Sequence, residues 1–143
     1  MAIKSAELSE LALPKDVWDG TLAAYDAEIA KGKAEATLIA MAGLSRLFIE
    51  RKSDDRALRL ADAPPEWREG KIDFTLWCFA SQALLDHETA WQKWHEPVKN
   101  ALMPHPMTAK DGCVSGSWAP DGDPRCAEGG RVYATPSTRS RSR

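Results

Sequence analysis

The segment DFTLWCFASQALLDH, residues 73 to 87, limits what this chain can fold into more than any other. It is nearly hydrophobic all round, and such a helix on a surface would leave an apolar face in water, so the pattern predicts an inner helix screened by others. One screen follows in the sequence. In ETAWQKWHEPVKNALM, residues 88 to 103, Trp91, Trp94, Val98 and Leu102 share a stripe, with Lys93 and Lys99 off it toward solvent. Pro97 interrupts this helix. An interior proline costs about 3 kcal/mol and clashes with the carbonyl four residues back, here Lys93, which predicts a kink or an early end.

Three more helices precede these. Asp16 can cap a helix through DVWDGTLAAYDAEIAKG, with Val17, Trp18, Leu22, Tyr25 and Ile29 at helical spacing and Gly32 as its stop. In AEATLIAMAGLSRLFIERK, Leu38, Met41, Leu44, Leu47 and Phe48 repeat at three and four, and Arg51 and Lys52 suit the C-terminal end. Its small residues Ala40, Ala42 and Gly43 allow close approach to a neighbour. DDRALRLADAPPEW reads as a short helix capped by Asp54 or Asp55 and stopped by Pro64 and Pro65. No strand-type alternation is seen, so the fold class is all-α, with five helices in antiparallel succession and a plan that fits stacked helical hairpins. Residues 104 to 130 read as a long glycine- and proline-rich connection.

At 143 residues the chain is expected to form one domain with its own core. A formal charge of -2 gives no general reason to bind nucleic acid or an acidic membrane surface. Cys78, Cys113 and Cys126 are an odd, scattered set, unlike a secreted disulfide framework, and mildly favour a reducing compartment. MAIKSAELSELALPKD carries acids where a signal peptide needs an apolar core, and no run approaches the roughly 20 apolar residues of a membrane span. A soluble chain is expected, its compartment unassigned.

The blocks GKIDFTLWCFASQAL, WQKWHEPVKNAL, DGCVSGSWAPDGDP and EGGRVYAT resemble, in order and spacing, the C-terminal part of the prenyltransferase and squalene oxidase repeat family. The matching positions are Asp73 and Trp77, Trp91 and Trp94, Gly116, Ser117, Trp118, Pro120 and Asp121, then Gly129, Gly130, Arg131, Val132, Tyr133 and Thr135. The resemblance covers roughly residues 34 to 135 and implies antiparallel helical hairpins forming part of an α/α toroid, in which inner and outer helices alternate around a barrel. It divides the chain into an N-terminal helical segment, 1–33, a partial toroid, 34–135, and an arginine and serine tail, 136–143, expected to be disordered. Where the family continues from T-A-L into an apolar closing helix, this chain reads TPSTRSRSR, and Pro136 is expected to stop the helix that begins near Arg131. A frame change or truncated gene after Thr135 is the expected origin of that tail. An open arc would leave the face around residues 73 to 87 uncovered, which predicts self-association.

The chemistry offered is sparse. The family's cyclases protonate isoprenoids with an aspartate-rich D-x-D-D motif, and this chain has none. Asp54 with Asp55 reads as a helix cap, and DGDP as a turn whose aspartates bond nearby backbone donors; an EF-hand fails because Val132 stands where the loop needs glutamate. His105, Asp111, Cys113 and Cys126 share one loop region but lack the spacing of a zinc site. His87 is placed at a helix C-terminal end and His95 beside Glu96 on an exposed face, neither with a nucleophile in view. Gly129 and Gly130 read as tight packing at a helix start rather than a phosphate cradle, and the short RSRSR run is too brief to argue for RNA. Trp77, Phe79, Trp91, Trp94, Trp118 and Tyr133 can line a pocket for an apolar or isoprenoid small molecule, yet core packing explains them with fewer assumptions. Trp118 in its G-S-W setting resembles the tryptophan that staples adjacent helices in the squalene cyclase repeat. Asp73, Trp77, Trp91, Trp94, Gly116, Trp118, Gly129, Gly130 and Arg131 are therefore structural candidates, with no catalytic residue, metal or cofactor assigned. The reading is a non-catalytic binding or scaffold module; the alternative is part of a terpenoid cyclase or prenyltransferase whose catalytic residues lie elsewhere.

Overall fold

The computed structural model describes residues 14–68, 71–120, 122, 123 and 125–138. The N-terminal 13 residues, Asp121 and the arginines of the RSRSR tail lie outside the described residues, as does the side chain of Tyr133. Helices α1 (Lys15–Ala30), α2 (Ala36–Glu50), α3 (Asp55–Leu58), α4 (Phe74–Leu84), α5 (Glu88–Leu102) and α6 (Cys126–Thr138) follow one another, with 3-10 turns at Arg59–Asp62 and Ala109–Val114. Among the described residues there is no strand, and the all-helical expectation holds.

Helix α4 is the hub and packs against α2, α3, α5 and α6. No residue from Phe74 to Leu84 is exposed, and Phe74, Thr75, Trp77, Ala80, Ser81, Ala83 and Leu84 are buried. The apolar face expected to be uncovered is thus covered, because α2, α5 and α6 close around it, and the ground for self-association through it falls away. The main core joins Phe74, Trp77, Ala80 and Leu84 to Trp94, Val98 and Leu102 of α5, Ala40 of α2 and Cys126 and Ala134 of α6. A second cluster, Leu44, Ala57 and Ala83, ties α2 to α3 and α4. The largest payload is Trp94, 1% exposed; an aromatic side chain buries about 200 Å², worth roughly 5 kcal/mol before entropy is subtracted. Its indole Nε1–H donates to Ser81 Oγ at 2.9 Å, so the polar end is satisfied inside the core.

The small residues of α2 face inward: Thr37, Ala40, Ala42, Gly43 and Leu44 are buried. A Cβ on Gly43 would stand 2.3 Å from Ala57 Cβ, so the absent side chain is what lets α3 lie against α2. Asp54 caps α3, accepting from Arg56 N–H at 2.9 Å, and the element ends before Pro64 and Pro65 as the sequence predicts. Gly32, at φ 74°, follows the last turn of α1 and donates to Ile29 O at 3.1 Å, a left-handed stop that glycine adopts freely.

Several expectations require correction. Asp16 lies inside the first turn of α1, which starts at Lys15 after Pro14 with no side-chain cap. Helix α5 runs through Pro97 to Leu102; Lys93 is exposed, so water can serve the carbonyl that proline leaves without a donor. The connection after α5 is shorter than expected, since a first helical stretch of α6 already begins at Cys126; a second opens at Arg131, as expected, after a kink at Gly130, whose φ of 59° and ψ of -158° suit glycine alone. A Cβ at Gly130 would meet nothing within 4 Å, so its role is conformational rather than close packing. Helix α6 also continues through Pro136 to Thr138, past the expected break after Thr135; Val132, which owns the carbonyl opposed by Pro136, is 85% exposed. No helix of the described residues is long and apolar enough to cross a membrane.

Candidate functional site

The N-terminal ends of α2, α4 and α6 meet in one polar junction. Asp73 caps α4: its Oδ1 accepts from Leu76 N–H at 2.7 Å, satisfying one of the amides that open a helix without partners. Its Oδ2 accepts from Thr37 Oγ1 of α2 at 3.1 Å and from Arg125 Nη1 at 2.8 Å. The other Arg125 nitrogen, Nη2, reaches Glu35, the residue that precedes α2. Asp123, 1% exposed, completes the set. Its Oδ2 accepts from the Phe74 N–H at 2.8 Å, its Oδ1 from the Arg125 N–H at 2.8 Å, and its carbonyl from the Cys126 N–H at 2.9 Å. One carboxylate therefore organises the first turns of both α4 and α6, where helix dipoles favour negative charge.

Cys126 lies fully buried beside it. Burial first, then the charge and hydrogen bond of Asp123, push its thiol up to about 12. Such a sulfur stays protonated and is a poor nucleophile or metal ligand. Burial works against the Arg125 guanidinium, but Asp73, Glu35 and Asp123 outweigh it and strengthen its hold on the proton. The junction's groups are paired with one another, and its chemistry is positional.

A second assembly joins α1, α2 and α3. Asp54, whose side chain is 5% exposed, accepts from Arg46 Nη1 at 2.6 Å and Arg56 Nη2 at 2.6 Å. Asp26 of α1 bridges the same two arginines, Arg46 Nη2 and Arg56 Nη2. Burial alone would raise the Asp54 carboxyl; the Arg56 side chain and backbone N–H and the Arg46 side chain outweigh it and hold it well below the ordinary carboxylate range.

The aromatic candidates serve packing. Trp77 lies edge-on to Phe74, ring centroids 5.7 Å apart, and Trp67 stands against both. Trp67 also stacks on His105 at 3.9 Å. Trp91 is half-buried and stacked on His95, which pairs with Glu96 as the sequence suggests. Trp118 donates from Nε1 to Leu102 O at 3.0 Å at the end of α5 and from its backbone N–H to Thr135 Oγ1 of α6, so it bridges those helices. Gly116, at φ 78°, closes the 107–117 loop: its N–H donates to Met107 O, and the Met107 N–H to Ser117 O. Gly129 is exposed, and Arg131 is half-buried with its Nη1 enclosed and without a hydrogen-bond partner among the described residues.

His87 corrects its assignment. It is the N-cap of α5, and its Nδ1 accepts from the Ala90 N–H at 3.3 Å, because the turn after α4 is only a few residues long. Of the residues weighed for a metal, Asp111 accepts from Thr108 N–H at 2.6 Å in a capping box, His105 stacks on Trp67, Cys113 is exposed and Cys126 is buried. Among the described residues no three of His, Cys, Asp and Glu converge on a metal position.

Sequence reasoning missed the Asp123–Phe74 bond and Arg125. The expected turn at DGDP, with its aspartates bonding nearby donors, holds for Asp123, which accepts from the Arg125 N–H two residues on. Its second partner, 49 residues away, leaves no local mark in the sequence. No family model, curated protein or solved structure matches this chain.

Proposed function

We propose that the chain is an arc of an α/α toroid of the prenyltransferase and squalene oxidase repeat type, acting as a non-catalytic module that binds an apolar, isoprenoid-like molecule or scaffolds a partner. The observation that carries the reading is the junction. Helices α2, α4 and α6 bring their N-terminal ends together while α4 packs against the other two. That shared end supports reading α2, α4 and α6 as the inner helices of a toroid, with α5 as an outer one. The motif residues support the non-catalytic part. Asp73, which leads the aromatic-rich helix, is consumed as a cap and ion-pair partner, and Trp77, Trp94 and Trp118 are spent on packing and helix bridging.

The test is incubation of the chain with squalene and with isoprenyl diphosphates, followed by tryptophan fluorescence and by mass spectrometry of the extract. Saturable quenching without new products is expected. A cyclised or transferred product would overturn the non-catalytic reading, and absence of binding by every isoprenoid tried would overturn the ligand class.

A further inference from the structure

Helix α1 is joined to the body in an unusual way for a 16-residue helix. One of its residues, Leu22, is buried. Trp18, Thr21, Tyr25 and Ile29 are half-buried and the rest of its apolar area faces outward, with Val17 39% exposed. The polar attachment is Asp26, itself 44% exposed, which bridges Arg46 of α2 and Arg56 beside Asp54.

The body's own polar network is complete without this helix. Arg46 and Arg56 both keep Asp54, at 2.6 Å each, and Arg46 has Glu50 at 3.9 Å as well. The start of α2 is pinned independently, through Glu35 to Arg125 and Thr37 to Asp73. Between α1 and pinned Glu35 lie four residues, Lys31 to Ala34, with Gly32 at a left-handed φ of 74° and open space around its Cβ position. The chain can pivot there without disturbing α2.

We infer that α1 is an ionically tuned arm, seated by Leu22 and the half-buried Trp18, Tyr25 and Ile29, with the Asp26 bridge to Arg46 and Arg56 adding the salt-sensitive share of its hold, and that it opens at Gly32 as a unit while α2 to α6 stay folded. Ion pairs of this partly exposed kind weaken in salt, whereas the apolar packing around α4 does not. Ionic strength, or any polyanion or cation that competes for the two arginines or for Asp26, therefore shifts the open fraction.

Hydrogen exchange read by mass spectrometry on the full chain tests this. Amides of residues 15–30 are expected to exchange well ahead of those of residues 74–84, and faster still when sodium chloride is raised from about 0.05 to about 1 M, while residues 74–84 hold their rate. Asp26→Asn is expected to speed exchange of residues 15–30 roughly two- to fivefold at low salt, to remove most of the salt response, and to leave residues 74–84 unchanged. Asp26→Glu is expected to restore the bridge in part. If residues 15–30 and 74–84 exchange together, if Asp26→Asn shifts both alike, or if salt leaves the unaltered chain's 15–30 amides unmoved, the tuned arm is refuted and α1 belongs to one cooperative unit with the rest.

Discussion

Replacing Asp123 by asparagine is the sharpest test of the junction, because the change keeps size and shape and removes only charge and one acceptor. The carboxylate is 1% exposed and spends its two oxygens on two backbone amides, Phe74 N–H and Arg125 N–H, each at 2.8 Å. Asparagine can serve one of them with its carbonyl oxygen; its NH₂ then faces the other donor. A buried donor without a partner costs about 1–3 kcal/mol, and hydrogen bonds to a charged acceptor are worth about 1.5–3 kcal/mol against about 1 for neutral ones. Relief from burying a charge offsets part of this, since Arg125 is itself partly exposed and compensates the charge incompletely. The net expectation is a loss of about 2–4 kcal/mol, a large share of the roughly 5–15 kcal/mol available to a domain. With a urea slope of about 2 kcal/mol/M, the midpoint should fall by about 1–2 M, measured by tryptophan fluorescence and far-ultraviolet circular dichroism together. Asp111→Asn, in the exposed capping box, is the control and should cost under about 1 kcal/mol. An Asp123→Asn midpoint within experimental error of the unaltered chain would show that α4 and α6 are not organised by this carboxylate.

Two further predictions concern pH. Because the Cys126 thiol is pushed up to about 12 in the folded chain, the unfolded form loses this proton from about pH 9 while the folded form keeps it, so stability falls as pH rises from about 9 to about 12. Cys126→Ala should flatten that decline in urea midpoints measured at about pH 8 and about pH 10; an unchanged slope would mean that the thiol is not held in this way. Asp54 acts in the opposite sense: held below its ordinary value of 3.8, it contributes stability above about pH 4 that is lost as pH falls further. Asp54→Asn keeps a good cap but removes the charge facing Arg46 and Arg56, and should cost about 2–3 kcal/mol at neutral pH, with the difference from the unaltered chain narrowing in acid. A difference that persists unchanged down to about pH 2 would assign the effect to capping geometry instead.

What could be read from the sequence follows from the range of the forces involved. The inner position of residues 74–84 was legible because an all-round apolar helix has few other places to go, and the Asp54 cap and the Pro64–Pro65 stop because both act within one turn. The approach of α2 to α3 was legible in outline from Ala40, Ala42 and Gly43, although that Gly43 meets Ala57 was not. Prolines misled for a related reason: the local cost of Pro97 or Pro136 depends on where the orphaned carbonyl lies, and Lys93 and Val132, which own those carbonyls, are exposed residues.

The expectation of an open face on α4 follows from the toroid resemblance, which reads the chain as an arc without its neighbours, and the chain's own last helix overturns it. A helical stretch does open at Arg131, after the kink at Gly130, but α6 has already begun before that kink. Beginning at Cys126, it puts a fully buried sulfur into the same core as Phe74 and Trp77, and the Asp123 carboxylate that starts this helix also holds the first amide of α4. The closure of the core and the start of α6 are thus one event, set by a residue whose decisive partner is 49 positions away. Loss of Asp123 should therefore act on both helices at once, and the fluorescence of Trp77 and Trp94 should report it in the same transition as the helical signal.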